Sequence, residues 1–73
     1  MEQVEAPVTG SVWKVECAVG DEVGEGDVLV ILESMKLEIP VEAEMDGRVA
    51  ELLCSEGDPV TDGQPLVALE NDR

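Results

Sequence analysis

The sequence predicts an all-β fold, a flattened eight-stranded barrel-sandwich with internal pseudo-twofold symmetry. Three observations carry that expectation. First, a shift of 37 residues lays VEAPVTGSVWKVECAVGDEVGEGDVLVILE (4–33) on VEAEMDGRVAELLCSEGDPVTDGQPLVALE (41–70) without a gap, and 14 of 30 positions are identical. Self-similarity on that scale marks two copies of one half-domain. Second, Val, Leu and Ile supply 21 of the 73 residues, with valine the commonest, and Trp13 is the sole aromatic. The core must be aliphatic, and β-branched residues favour sheet. Third, short apolar runs are broken by glycine or proline every 8 to 12 residues, which reads as a small sandwich or barrel rather than helix.

Taken along the chain, the identities show what each copy needs. Gly10/Gly47, Gly20/Gly57 and Gly26/Gly63 recur at turn points, where a residue without Cβ accepts positive φ. Val12, Val15 and Cys17, matched by Val49, Leu52 and Cys54, are spaced by three and then two. Strict alternation needs two and two, so the spacing predicts a β-bulge at Trp13-Lys14 and another at Ala50-Glu51. The two cysteines then face inwards at equivalent places as free, buried thiols. Trp13, whose counterpart is Ala50, is expected to be a half-exposed strand residue. Gly20-Asp21 and Gly57-Asp58 open matching loops that close at Gly26 and Gly63. The runs 28–32 and 65–69 read as strands, as do VLVILE (28–33) and LEIPVEA (37–43) on either side of the junction.

One domain over 1–73 is expected, because a chain this short buries only about 60% of its unfolded surface and neither half can close a core alone. The termini should lie near one end and the junction between copies at the other.

Composition excludes several roles. Eighteen carboxylates against four basic residues give a formal net charge of −14, which repels nucleic-acid phosphates and anionic membranes and steers the chain towards basic protein surfaces. The longest apolar run, 28–32, is far short of the roughly 20 residues of a membrane helix, and the first residues lack the features of a secretory signal. No membrane insertion and a cytoplasmic setting are expected. With no histidine and no C-x-x-C, no metal site is expected, and no general base for autonomous catalysis is present.

The junction, tip residues 34–37, breaks the local rules. A two-residue hairpin turn normally asks for Asn-Gly or Asp-Gly because the favoured primed types need positive φ, yet Met35-Lys36 stands there. A rule broken at one spot in an otherwise consistent sequence points to function. From the tip alone, a solvated loop lysine and a functional lysine both remain open.

The flanks narrow the choice. ESMKLE (33–38), preceded by PVTGSVWKV (7–15) and followed by AEMDGRV (43–49), resembles the biotinyl domain of biotin-dependent carboxylases and the related biotinyl/lipoyl attachment proteins, over about residues 4–70. Ser34 and Leu37 depart from the commonest form, in which a small residue and Glu flank Met-Lys-Met. The resemblance implies that Lys36 is the covalent attachment point for biotin, acylated by a biotin protein ligase. Because a lysine ammonium must first lose a proton to become nucleophilic, the ligase would supply the base. Met35, Ser34, Leu37, Glu33 and Glu38 would contribute to recognition. The chain would be a non-catalytic carrier that moves a carboxyl group between biotin carboxylase and carboxyltransferase. Lipoate is the alternative cofactor, but lipoyl domains usually place Asp before the lysine, so Met35 favours biotin. A third reading is an unmodified acidic β-module that binds other proteins. Some biotinyl domains carry an inserted thumb in the first half; here 17–27 and 54–64 are equally long, so none is expected.

Overall fold

The computed structural model describes residues 1–71; Asp72 and Arg73, the end of the expected 1–73 domain, lie outside the described residues. Every regular element described is a strand: β1 Glu2–Glu5, β2 Gly10–Val15, β3 Glu22–Val23, β4 Val28–Ser34, β5 Leu37–Glu42, β6 Gly47–Leu52, β7 Pro59–Val60 and β8 Pro65–Glu70. A shift of 37 carries β1 to β4 onto β5 to β8. Among the described residues no helix is long and apolar enough to cross a membrane.

The strands form two antiparallel four-stranded sheets, ordered β1-β8-β6-β3 and β5-β4-β2-β7. The same shift converts one order into the other, and each sheet takes two strands from each copy. The copies are also tied by exchanged backbone hydrogen bonds. The Gly20 N–H donates to the Val49 carbonyl at 2.8 Å and the Val49 N–H to the Asp21 carbonyl at 2.9 Å. In the mirror arrangement the Gly57 N–H donates to the Val12 carbonyl and the Val12 N–H to the Asp58 carbonyl, both at 2.8 Å. The repeated Gly-Asp pairs serve this exchange: Gly20 and Gly57 take φ of 96° and 91°. Asp21 and Asp58 brace the turns by accepting the Ala18 and Ser55 N–H groups, each at 2.9 Å, a local bond that Asp makes readily.

Both expected bulges are present. Register slips between Val12 and Lys14 and between Val49 and Glu51, so Trp13 and Ala50 are the extra residues. Two more, which apolar spacing did not reveal, pass over Leu29 in β4 and Leu66 in β8. Strict alternation would turn one of any adjacent pair to solvent; the extra residue lets Leu29 and Val30, and likewise Leu66 and Val67, be 0% exposed together. Around them pack Val4, Val12, Leu32, Val41, Val49, Val60 and Leu69.

Two expectations need correction. Gly10 and Gly47 do not have positive φ. They are needed because of crowding: a Cβ on Gly10 would run into the Glu33 carbonyl oxygen, and one on Gly47 would sit 2.6 Å from that of Glu70. The cysteines, both free, are not equally buried: Cys54 belongs to the core, whereas Cys17 is half-buried against it. Burial, and then the Asp21 carboxylate, pushes the Cys17 thiol up; burial, and then Asp58, does the same to Cys54.

Turns 16–21 and 53–58 run directly from β2 to β3 and from β6 to β7 with no inserted segment. β1 and β8 lie side by side with Glu2 opposite Leu69, so the described chain ends lie together. Loop 24–27 reaches 43–46, whereas the hairpin between β4 and β5 is approached by Thr9; the paired ends and the hairpin thus have separate neighbours on a body of 38 × 18 × 18 Å.

Leu29→Ala and Leu66→Ala should each lower the unfolding free energy by about 2–5 kcal/mol, and by similar amounts, when measured by urea denaturation. The thiols add a pH dependence. In the unfolded chain they ionise near 9.0, while the native state holds their protons to higher pH. Above that value the unfolded chain therefore binds fewer protons, and stability should fall as pH rises through the native pKa values. Urea midpoints across the alkaline range should show this decline, and it should flatten in a Cys17→Ala, Cys54→Ala variant.

Candidate functional site

The hairpin is built by register. β4 and β5 pair Leu32 with Ile39, Glu33 with Glu38 and Ser34 with Leu37, which leaves only Met35 and Lys36 to reverse the chain. Two-residue reversals that match strand twist are the primed turns, of which type I′ puts both residues in the left-handed region, and φ is 53° at Met35 and 67° at Lys36. They are the only non-glycine residues with positive φ among those described. Each residue carries a cost of roughly 1–2 kcal/mol relative to glycine-like freedom.

What holds this strained turn lies just behind it. Leu32 is 0% exposed and Ile39 packs against the core, so the hairpin's base is anchored on both strands. The Ser34 hydroxyl donates to the Thr9 carbonyl at 3.0 Å. Thr9 is fixed in turn, because its Oγ1 accepts the Asp62 N–H at 3.0 Å. Gly10 lets its own strand come up against the Glu33 carbonyl and Ser34 Cβ.

The six residues expected at the site, Glu33, Ser34, Met35, Lys36, Leu37 and Glu38, are brought together at one tip. Met35 is 92% and Leu37 65% exposed; Glu33, Lys36 and Glu38 are exposed and Ser34 is half-buried. Glu33 and Glu38 face each other across the strands, a like-charge pairing that disfavours the sheet. Neither carboxylate holds the lysine in a salt bridge; the ion pair among the described residues is Arg48 with Glu70 at 3.8 Å. Lys36 Nζ thus ends an unencumbered side chain.

A depression of about 200 Å³ lies elsewhere, against the chain ends, with Glu2, Val4, Met45 and Leu69 in its lining. Such a tip can present a primary amine to another protein's active site and let whatever is attached swing in solvent. With no histidine in the chain, it offers no neutral-pH base of its own.

Thr9, Gly10 and Asp62, which position the tip, were not anticipated from sequence. A signal existed: Asp46, the counterpart of Thr9, accepts the N–H of Glu25, the counterpart of Asp62, at 2.9 Å. The bracing therefore belongs to the repeat, and only what it carries differs.

A family model described as "Biotin-requiring enzyme" matches residues 2–69. The chain is 58% identical over 40 residues to a protein of Mycobacterium leprae named as a homolog of biotinylated protein TB7.3, covering 55% of this chain and 56% of that one. Among solved structures it is similar to the urea carboxylase of Kluyveromyces lactis, 38% identical with a TM-score of 0.90, over 94% of this chain and 6% of that one. A single-chain long-chain acyl-CoA carboxylase aligns at 30% identity and a TM-score of 0.85, over 90% of this chain and 7% of that one. The chain thus spans about half the length of the curated relatives it matches and a small part of the carboxylases.

If the tip is strained, Lys36→Gly should raise the unfolding free energy by roughly 0.5–1 kcal/mol, relief of the left-handed Cβ clash outweighing glycine's extra unfolded-state entropy. Urea denaturation would check this, and a loss of stability would mean that the native backbone does not strain Lys36.

Proposed function

The chain belongs to the family of biotin-requiring enzymes, and from that premise we propose that it is a biotin carrier modified at Lys36 Nζ. One observation carries the assignment to that atom. The fold holds Met35 and Lys36, two non-glycine residues, in left-handed backbone at the end of a two-residue hairpin, where glycine would be easier, so the side chains matter more there than the turn.

Bound to Lys36, biotin would supply a place to carry a carboxyl group between a biotin carboxylase and a carboxyltransferase. The residues of the tip fit a tethered group better than an enclosed one. Lys36 Nζ, deprotonated on the ligase, would attack the acyl carbon of biotinyl-adenylate, forming the amide as the acyl–phosphate bond breaks and AMP leaves, so the lysine loses its positive charge. Met35 and Leu37, both exposed, give a ligase an apolar grip on either side of the lysine. Met35 also favours biotin over lipoate, in keeping with the relatives named for biotin. Catalysis of ligation, carboxylation and transfer is assigned to the partner enzymes, and the carrier's part is presentation.

Co-expression with a biotin protein ligase followed by intact-mass measurement and peptide mapping tests this. One biotinyl group on Lys36, lost in Lys36→Arg and never on Lys14, is expected, with no lipoyl group added by a lipoate ligase. An unmodified wild type, or biotin on Lys14, would refute the assignment. Met35→Asp should lower the rate of biotin incorporation by about tenfold or more without unfolding the protein, since it puts a carboxylate where the ligase needs an apolar contact.

A further inference from the structure

The pseudo-twofold axis makes each sheet a control for the other. Core positions agree between them: Leu29 with Leu66, Val30 with Val67, Leu32 with Leu69, Val12 with Val49. The outward faces do not. In the tip-bearing sheet, Ile31 sits between buried Val30 and Leu32 and so points outwards, paired with Pro40 on one side and Lys14 on the other. The bulge adds Trp13, 43% exposed, with Lys14 Nζ 5.1 Å from its ring centroid. An apolar row, Trp13, Ile31 and Pro40, therefore crosses three strands. In the twin sheet the same positions hold half-buried Ala50, Ala68, which is small enough to be covered by its neighbours at 3% exposure, and exposed Gln3, a small and polar row on the same backbone. The fold does not require the bulky apolar row, and an exposed tryptophan between charged rows is the usual make-up of a contact centre.

We propose that this outward face, centred on Trp13, Ile31 and Pro40, is the docking surface for the enzyme that acylates Lys36, and that its counterpart there is an apolar recess bordered by lysine or arginine. The proposal rests on Lys36 being the acceptor. Charge supports a basic rim: paired Glu33 and Glu38 bound the row on the tip side and Glu42 on the other, within a chain of net charge −14. Proximity selects the enzyme. The Ile31–Pro40 pair is three register steps from Ser34–Leu37, about 10 Å at strand rise, so the row lies within the footprint of a protein whose active site closes on Nζ from this face. An enzyme acting on the far end of an attached group works farther from it by the length of the adduct.

The test replaces each residue by the one its twin position tolerates: Trp13→Ala, Ile31→Ala and Pro40→Gln. With a purified biotin protein ligase and varied carrier concentration, Trp13→Ala should raise KM roughly tenfold or more with kcat unchanged, and wild-type KM should rise with salt. Since Trp13 is the sole tryptophan, 5-fluorotryptophan gives one ¹⁹F resonance, which should shift or broaden when ligase is added. Incorporation with unchanged KM in Trp13→Ala and an unmoved ¹⁹F signal would overturn the docking surface alone. So would unchanged ligation combined with impaired carboxylation of the biotinylated variant, which would put a different enzyme on this face. No incorporation into the wild type would overturn the acceptor reading and the docking surface together.

Discussion

The structure depends on the backbone hydrogen bonds that each copy makes to the other. Val12 and Val49, the residues just before the bulges at Trp13 and Ala50, each use both backbone groups on a Gly-Asp turn of the opposite copy. These bonds lie on the β2 edge that faces β7 and the β6 edge that faces β3, opposite the edges that pair with β4 and β8 and carry the bulges, and they satisfy backbone groups there as buried backbone requires. Neither half can meet this need from its own residues. The pairing of β3 with β6 and of β7 with β2 extends the same exchange, so the two copies fold as one unit.

From that constraint the hairpin follows. Once β4 is held between β2 and β5 with Leu29, Val30 and Leu32 buried, its register with β5 leaves room for only two residues at the turn. Met35 and Lys36 both take left-handed backbone there, and a surrounding structure that over-determines a local conformation is what allows such strain to persist. Mechanical support and chemical role are separated: Thr9, Gly10, Ser34 and Asp62 hold the hairpin from behind, while Met35, Lys36 and Leu37 stand in solvent. The same division is seen in the two faces of the sheets, an aliphatic interior common to both sheets and an exterior particular to the sheet that bears the hairpin lysine.

Much of this was legible in the sequence because the duplication lets one half annotate the other. The three-then-two spacing at Val12, Val15 and Cys17 located the bulge at Trp13, and the poor turn residues located the tip. The bulges at Leu29 and Leu66 were hidden because they lie within unbroken apolar runs, where an extra residue changes no polar-to-apolar boundary. Gly10 and Gly47 were read as turn glycines, although what excludes a side chain there is a carbonyl from a distant strand, a contact that sequence order does not encode. Repeat identity also overstated the likeness of the cysteines, since equivalent backbone positions meet different neighbours and Cys17 is left half-buried. The bracing of the tip by Thr9 passed unnoticed because its counterpart is Asp46, a different residue using its oxygen in the same way.

The central claim is that the two-copy fold, not the tip residues' own preference, fixes Met35 and Lys36 in left-handed backbone and so projects the lysine. Backbone scalar couplings and chemical shifts of uniformly labelled protein measure those two φ angles directly. Positive values at both residues, retained after Lys36 is acylated, are expected. Negative values, or averaging over several conformations at either residue, would contradict the claim.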